Sequence, residues 1–486
     1  MDEGGVLALY GFRGKQEFIY RTNRMKEITG ASELLASMFE RFLEKCDMTI
    51  DTEWEDVEWH GLLDNYVGAV VYEGGGNLCM LFKDKTTYLD FNRGLSLYVL
   101  NEATGLGLIA ACAPYTGDFK EDMKALHEKH DLAKRLGSNT DACTVLPYTK
   151  VDRKTYLPIV CTKAVGDDVR ELTREGEVKH AAYERRAKSD PAWEAMGKEI
   201  DNIGTLKGKD SLIAVVYCDG NSIGEKLKGV NTINDMRAFS KTVHDALVRR
   251  PVKALEEALH GKYREHRVII DHGDEITLVV NAHVVPLVLK AYFDAVEQGG
   301  YRACAGVALC HAHDPFAAVY KIAEECCESG KAQNRKTVIA GGNEGSYIDF
   351  HFCRSGITGT LEQIRQAQEA PFTLRPYAYK GDGVDFESFM EVGCKLKDSK
   401  IARADIKNLG NLILDGPKEK PACGSRYRLE MERLKFKEGA DDRTIEDIEG
   451  KYGEKVPKLL FDVAGFYDVW FENAPIKDGC RGESHE

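Results

Sequence analysis

The sequence predicts an α+β fold: one strand–helix–strand–strand–helix–strand unit written twice, followed by a helical region. Three observations predict it. Apolar runs of strand length alternate with amphipathic stretches in the same order twice along the chain. After about Gly341 that alternation gives way to helical periodicity with charged outer faces. A chain of 486 residues is also too long for one ordinary core, so two to four domains are expected.

In the first copy VLALYGF is the opening strand and ASELLASMFERFLEKC the first helix. The hairpin VGAVVYEGGGNLCMLF turns at Gly74, Gly75, Gly76 and Asn77, and the stretch around NRGLSLYVLNEAT is helical. GLIAACA is the next strand, and DFKEDMKALHEKHDLAKRL closes the unit as a helix. LPYTKVDRKTYLPIVC and the charged helix VRELTREGEVKHAAYERRAK form a connector. The second copy opens with the strand SLIAVVY and the helical NTINDMRAFSKTVHDALVRRPVKALEEALH. RVIID and ITLVV make a hairpin around HGDE, AHVVPLVLKAYFDAVEQ is helical, RACAGVALC is a strand, and PFAAVYKIAEECCESGKAQ ends the unit. That order is the order of a ferredoxin-like palm. The expected domains are a first palm at 1–146, the connector at 147–205, a second palm at 206–350 and a helical C-terminal domain at 351–486. The tail KDGCRGESHE is expected to be disordered.

Composition narrows the class. Net charge is −13 and the pI is near 5.6, the opposite of the basic surface carried by a chain whose main task is wrapping nucleic acid. Acidity does not exclude RNA binding by a subunit whose partners supply the positive charge, but it argues against nucleic-acid binding by this chain alone. No window approaches the uninterrupted apolar run of a membrane helix, and MDEGGVLALYGFRG runs straight into a patterned strand rather than forming a signal peptide. A cytoplasmic protein is expected. The 14 cysteines are scattered, and Cys79, Cys112, Cys218 and Cys304 fall in strand-like runs, as buried reduced thiols do. No CxxC pair occurs; Cys304, Cys310, His311 and His313 come nearest to a zinc set, and a strand ending in a polar turn accounts for them.

Two acidic positions carry the chemistry. Asp219 ends a β-branched run, and Asp274 and Glu275 follow His272-Gly273 in the turn of the second hairpin. Taken singly, an aspartate after a strand is a helix N-cap, and Gly-Asp is ordinary turn chemistry. Together, at strand ends of one palm, three carboxylates would repel strongly unless cations bound between them. Two-metal sites use such carboxylates to activate an attacking hydroxyl and stabilise the leaving oxygen. The first copy has Gly74-Gly75-Gly76-Asn77 where the second has its acidic turn, and a position near Phe12-Arg13 where the second has Asp219. One copy keeps the metal ligands and the other is degenerate, which predicts one catalytic palm and one partner palm shaping a shared nucleotide pocket.

These motifs resemble the CRISPR polymerase family, the large palm-domain subunit of type III CRISPR effector complexes. GFRGKQEFIYRTNRMKEITGASELL is similar to the opening of that family's first palm, and YEGGGNLCML to its Gly-rich hairpin. YCDGNSIGEKL resembles the first acidic motif of the second palm, and DHGDEITLVV stands where the family usually has GGDD. ACAGVALCHAHDPFAAVYKIAEECCESGKAQ resembles the last palm strand with its Lys-bearing helix, and TLRPYAY the entry to the C-terminal helices. The resemblance implies synthesis of cyclic oligoadenylate second messengers from ATP with Mg²⁺ or Mn²⁺ in antiviral defence. It implies Asp219, Asp274 and Glu275 as metal ligands, with the Gly220 carbonyl as a further one. It implies nucleotide contacts at Ser32, Gly74, Gly75, Gly76, Asn77, Gly273 and Lys331. Other type III subunits and guide or target RNA are the implied partners.

The chain departs from the family pattern in three ways. The first palm begins within the first ten residues, so a form lacking the HD nuclease domain, without DNA cleavage of its own, is expected. The pairs His130-Asp131, His244-Asp245 and His313-Asp314 lack the helical surroundings of such a nuclease. HGDE replaces GGDD, keeping the charge but placing His272 beside the nucleotide site; GGDEF cyclases also have Glu there. Asn221 stands where an aspartate is common, and the connector lacks the paired cysteines many relatives use for zinc. Two alternatives stay open: a non-catalytic scaffold subunit of an RNA-guided complex, and a GGDEF-like cyclase using another nucleotide such as GTP.

Overall fold

The computed structural model describes residues 5–52, 65–136, 146, 148–165, 168–195, 203, 211–260, 266–353, 359–369, 371–415, 424–438 and 443–471. The C-terminal tail lies outside them.

Strand β1 (Val6–Arg13) alternates its side chains between two buried faces, so all of it but Arg13 is buried. Helices α1 (Lys15–Tyr20) and α2 (Met25–Lys45) follow, then the short β2 (Ile50–Asp51) and the hairpin β3 (Gly68–Gly74) and β4 (Asn77–Phe82). Helix α3 (Lys85–Glu102) starts at Asp84, whose carboxylate accepts from Thr87 N–H at 2.8 Å as an N-cap. Strand β5 (Gly107–Pro114) and helix α4 (Phe119–Leu136) complete a sheet of order β2-β3-β4-β1-β5, with β1 antiparallel to both β4 and β5. Leu7 and Leu9 point to the face packed by Phe119, Met123 and Leu126 of α4. Tyr10 and Phe12 point to the other, against Phe91 of α3 and Phe39 of α2.

The connector contains an antiparallel pair, β6 (Ile159–Val165) and β7 (Asp168–Thr173), before helix α5 (Arg174–Ser189) and the single turn α6 (Pro191–Ala195). VRELT, read above as the start of a helix, is a strand, and the helix begins at the Thr173 cap. Helix α5 lies so close to α2 that a Cβ on Gly30 would stand 2.0 Å from the Lys179 carbonyl oxygen.

The second sheet has the order β13-β12-β11-β8-β10-β9. It is built from β8 (Leu212–Gly220), the hairpin β9 (His266–His272) and β10 (Glu275–Asn281), and β11 (Ala303–His311), antiparallel to β8. Helices α7 (Ile223–Leu227), α8 (Ile233–His244) and α9 (Arg250–Ala258) lie between β8 and β9; α8 and α9 are joined through a π-turn at Asp245–Arg249. Helix α10 (Val285–Gln298) precedes β11, and α11 (Phe316–Ile339) packs on β11 and β8.

Two further strands follow, the second of them inside the stretch expected to be helical. Strand β12 (Tyr347–Phe352) runs parallel to β11, and β13 (Tyr377–Ala378) pairs with β12. The apolar run of β12 is interrupted by Asp349 and His351, both buried, and Arg365 neutralises Asp349 through two contacts of 2.7 Å. Helix α12 (Leu361–Gln368) carries that arginine; α13 (Phe386–Asp398), α14 (Arg403–Leu414), α15 (Ser425–Glu438), α16 (Thr444–Tyr452) and α17 (Val456–Trp470) make up the rest. Asp462 of α17 accepts from Arg375 Nε, Thr373, Tyr377 and the Leu374 N–H, which pins the segment before β13 to α17.

The chain divides into two compact units. One comprises 1–200, 222–250 and 268–276; the other comprises 201–221, 251–267 and 277–486. Ile233 and Met236 of α8 belong to the core of the first unit, where Arg237 pairs with buried Asp51 at 3.0 Å. Among the described residues no helix is long and apolar enough to cross a membrane, and the described cysteines are free thiols.

Candidate active site

Asp219 ends β8 opposite Cys304 of β11. Its Oδ2 accepts from Lys331 Nζ of α11 at 2.6 Å, and both side chains are 18% exposed. Burial opposes the charge on Lys331, but Asp219 outweighs it and holds the ammonium above its ordinary value. Helix α11 can approach because β11 has Gly306: a Cβ there would stand 1.9 Å from the Ala323 carbonyl oxygen. Asn221 acts as a clasp: its Nδ2 donates to the Gly345 carbonyl at 2.9 Å and its backbone N–H to the Arg302 carbonyl at 2.8 Å. Cys304 and Cys310 are buried in β11, where burial pushes Cys304 up to about 12 and holds Cys310 well above the ordinary thiol value.

The two glycine turns meet within the first unit. Gly75 and Gly76 form a two-residue hairpin loop with φ of 59° and 67°, and Gly273 opens the other turn at φ 70°. A Cβ on Gly273 would stand 3.1 Å from Gly75 Cα and 3.2 Å from its nitrogen, so position 273 requires glycine for space as well as for its φ. Asp274 and Glu275 follow directly. His272 is held by Asp271, Nδ1 to Oδ1 at 2.6 Å. Burial works against its charge, yet Asp271 raises the imidazole to about 9. Ser32 is buried within α2.

Lys15, at the start of α1, was not singled out from the sequence. Its Nζ donates to the Gly75 carbonyl at 2.5 Å. Burial, then Lys134, lowers it to about 8, against an opposing pull from Glu275. Burial, then Glu40, pushes Glu73, next to the turn, up to about 7. The only sequence signal for Lys15 is its place two residues after β1.

The structure thus joins Asp219 with Lys331, and Gly74 and Gly75 with Gly273. Among the described residues no three His, Cys, Asp or Glu side chains gather as a metal cage. The donor set still suits Mg²⁺ or Mn²⁺. Its members are hard oxygens, and Mg²⁺ is commonly held by one or two carboxylates with substrate phosphates completing its shell.

No protein-family model and no curated protein matches the chain. Solved structures do. The fold is the one found in the palm-domain subunit of type III CRISPR complexes. Solved chains that share it include Csm1. One was solved as a Csm1–Csm4 cassette in complex with cA4 (TM-score 0.52, 12% identity, covering 96% of this chain and 70% of that one). Another is the apo cassette (0.51, 15%, 96% and 70%), and a third is Csm1 in T. onnurineus (0.50, 12%, 95% and 70%).

Proposed function

We propose that this chain is a two-palm nucleotidyltransferase of the type III CRISPR kind that makes cyclic oligoadenylates from ATP. In this reading 1–146 is the degenerate palm, 147–205 the connector, 206–350 the catalytic palm and 351–486 the C-terminal domain. The observation that carries it is the Asp219–Lys331 pair at the end of β8, in a fold shared with a Csm1 chain solved with cA4. Bound Mg²⁺ or Mn²⁺, held by Asp219, the Gly220 carbonyl, Asp274 and Glu275 with triphosphate oxygens, would polarise the α-phosphate and lower the pKa of the attacking 3′ hydroxyl. The residues do the positioning. Lys331 meets the triphosphate as a point charge, Gly74 to Asn77 let backbone approach the second nucleotide, and Ser32 and Gly273 border it.

The test is incubation of the purified chain, alone and with type III partner subunits and target RNA, with each labelled nucleoside triphosphate and Mg²⁺. ATP should give pyrophosphate and oligoadenylate, and Asp274→Asn should lower the rate at least ~100-fold, in the range of lost electrostatic transition-state contacts. Turnover by Asp274→Asn at the parental rate would remove the site assignment. The HGDE turn favours a second reading, a scaffold subunit whose palms are architectural; no product from any nucleotide in the assembled, target-bound complex would establish it. Preference for GTP would point to a GGDEF-like cyclase.

A further inference from the structure

The end of β1 carries the opposite charge from the end of β8. Phe12 faces Leu108 and Arg13 faces Gly107 on β5, as Asp219 faces Cys304 and Gly220 faces Ala303 on β11. Phe12 therefore holds the register of Asp219. Around it stand Arg13, Lys15, His130 and Lys134, none of which makes an ion pair with a carboxylate among the described residues.

Their donors are only partly used. Lys15 has one hydrogen bond among the described residues, to the Gly75 carbonyl, leaving ammonium donors over. Arg13 gives Nη2 to the Ala133 carbonyl at 2.8 Å, while its buried Nε has no partner among the described residues. His130, 3% exposed, has its Nε2 in the same condition, 3.1 Å from where a Cβ on Gly11 would stand. Lys134 is exposed and crowds both Lys15 and His130 electrostatically. The acidic groups facing this cluster are Glu275 toward Lys15 and Asp131 toward His130. Lysine and arginine donors without a carboxylate ion pair, beside a glycine turn, are the chemistry of an oxyanion receptor.

We propose that the end of β1 is a metal-independent polyphosphate subsite, in which Lys15, Lys134 and Arg13 receive the triphosphate of the nucleotide seated by the Gly74–Asn77 turn. It rests on the reading that this turn faces a nucleotide. One half of the molecule then handles phosphate through carboxylates and cations, and the other through its own basic side chains.

The test is calorimetric titration of the full chain in EDTA, in a Lys331→Ala background that silences the other proposed triphosphate contact. The probes are ATP, adenosine and inorganic tripolyphosphate. ATP and tripolyphosphate should bind and adenosine should bind at least about tenfold more weakly. Lys15→Ala and Lys134→Ala should each weaken ATP about tenfold, the equivalent of one charge-assisted contact. Lys134→Ala guards against a disturbed turn in Lys15→Ala, because Lys134 is exposed and makes no hydrogen bond among the described residues. Absence of ATP binding in EDTA, or binding in both lysine variants as tight as in the Lys331→Ala background, overturns the subsite. Lysine-dependent binding without Mg²⁺-dependent turnover in the parental chain would sink the proposed enzyme and leave the subsite standing. Turnover with unweakened binding would do the reverse.

Discussion

Glu73 stands immediately before the glycine turn with a carboxyl pushed up to about 7 by burial and then Glu40. An acid whose folded pKa exceeds its unfolded value binds its proton more tightly when folded, so stability falls as pH rises from about 4.5 through 7. Glu73→Gln should therefore unfold at a higher temperature than the parent at pH ~8 and at a similar temperature at pH ~4. An unchanged difference across that range would mean the carboxyl is not strained. His272 runs the same way in a higher window. Its raised pKa gives stability that is complete below 6.5 and lost as pH rises through about 9. A histidine NMR titration should place its midpoint near 9, and Asp271→Asn should lower it, because the main contribution opposing burial is then gone. A midpoint near 6.5 in the parent would show the pair is not formed.

At the scale of elements, the palm-like order was legible where strands are long apolar runs. LIAVVY, RVIID, ITLVV and ACAGVALC all lie in strands of the second sheet, and the helix carrying Lys331 follows as read. The misses have physical causes. Strand β12 hides because Asp349 and His351 sit inside it, and its counter-ion, Arg365, lies 16 residues away in sequence. Strand β7 was masked by charged residues leading into a helix. Lys15 and the Gly75–Gly273 contact escaped because both depend on segments distant in sequence meeting in space, which periodicity does not report. Gly306 shows what such meetings demand: the atoms a Cβ would strike are the Ala323 carbonyl oxygen and the Cys327 nitrogen, at 1.9 and 2.4 Å. Backbone cannot yield as a side-chain tip can. Gly306→Ala should cost at least about 3 kcal/mol in denaturant unfolding, the upper end for overpacking. A loss under about 1 kcal/mol would mean that α11 slides freely on its sheet.

At the scale of the molecule, charge sets what the chain does unaided. With a net charge of −13, the isolated protein should hold single-stranded RNA no tighter than ~1 µM near physiological salt, the strong end of non-specific binding. A sub-micromolar filter-binding constant would place a basic groove where the composition gives no hint of one. The buried Asp462–Arg375 pair is the larger structural dependence of the second unit. Asp462→Ala leaves a guanidinium buried without that partner and should cost about 3–5 kcal/mol.

The first unit is discontinuous along the gene, and that limits how the protein can be cut. A fragment ending near residue 200 would lack Ile233 and Met236, two of the side chains in its own oily interior, and would leave Asp51 stranded without its guanidinium. Such a truncation should come out of cells as insoluble material. Co-production with the remainder of the polypeptide is the way to rescue it, so split-protein reassembly, not domain dissection, is the practical handle on this architecture.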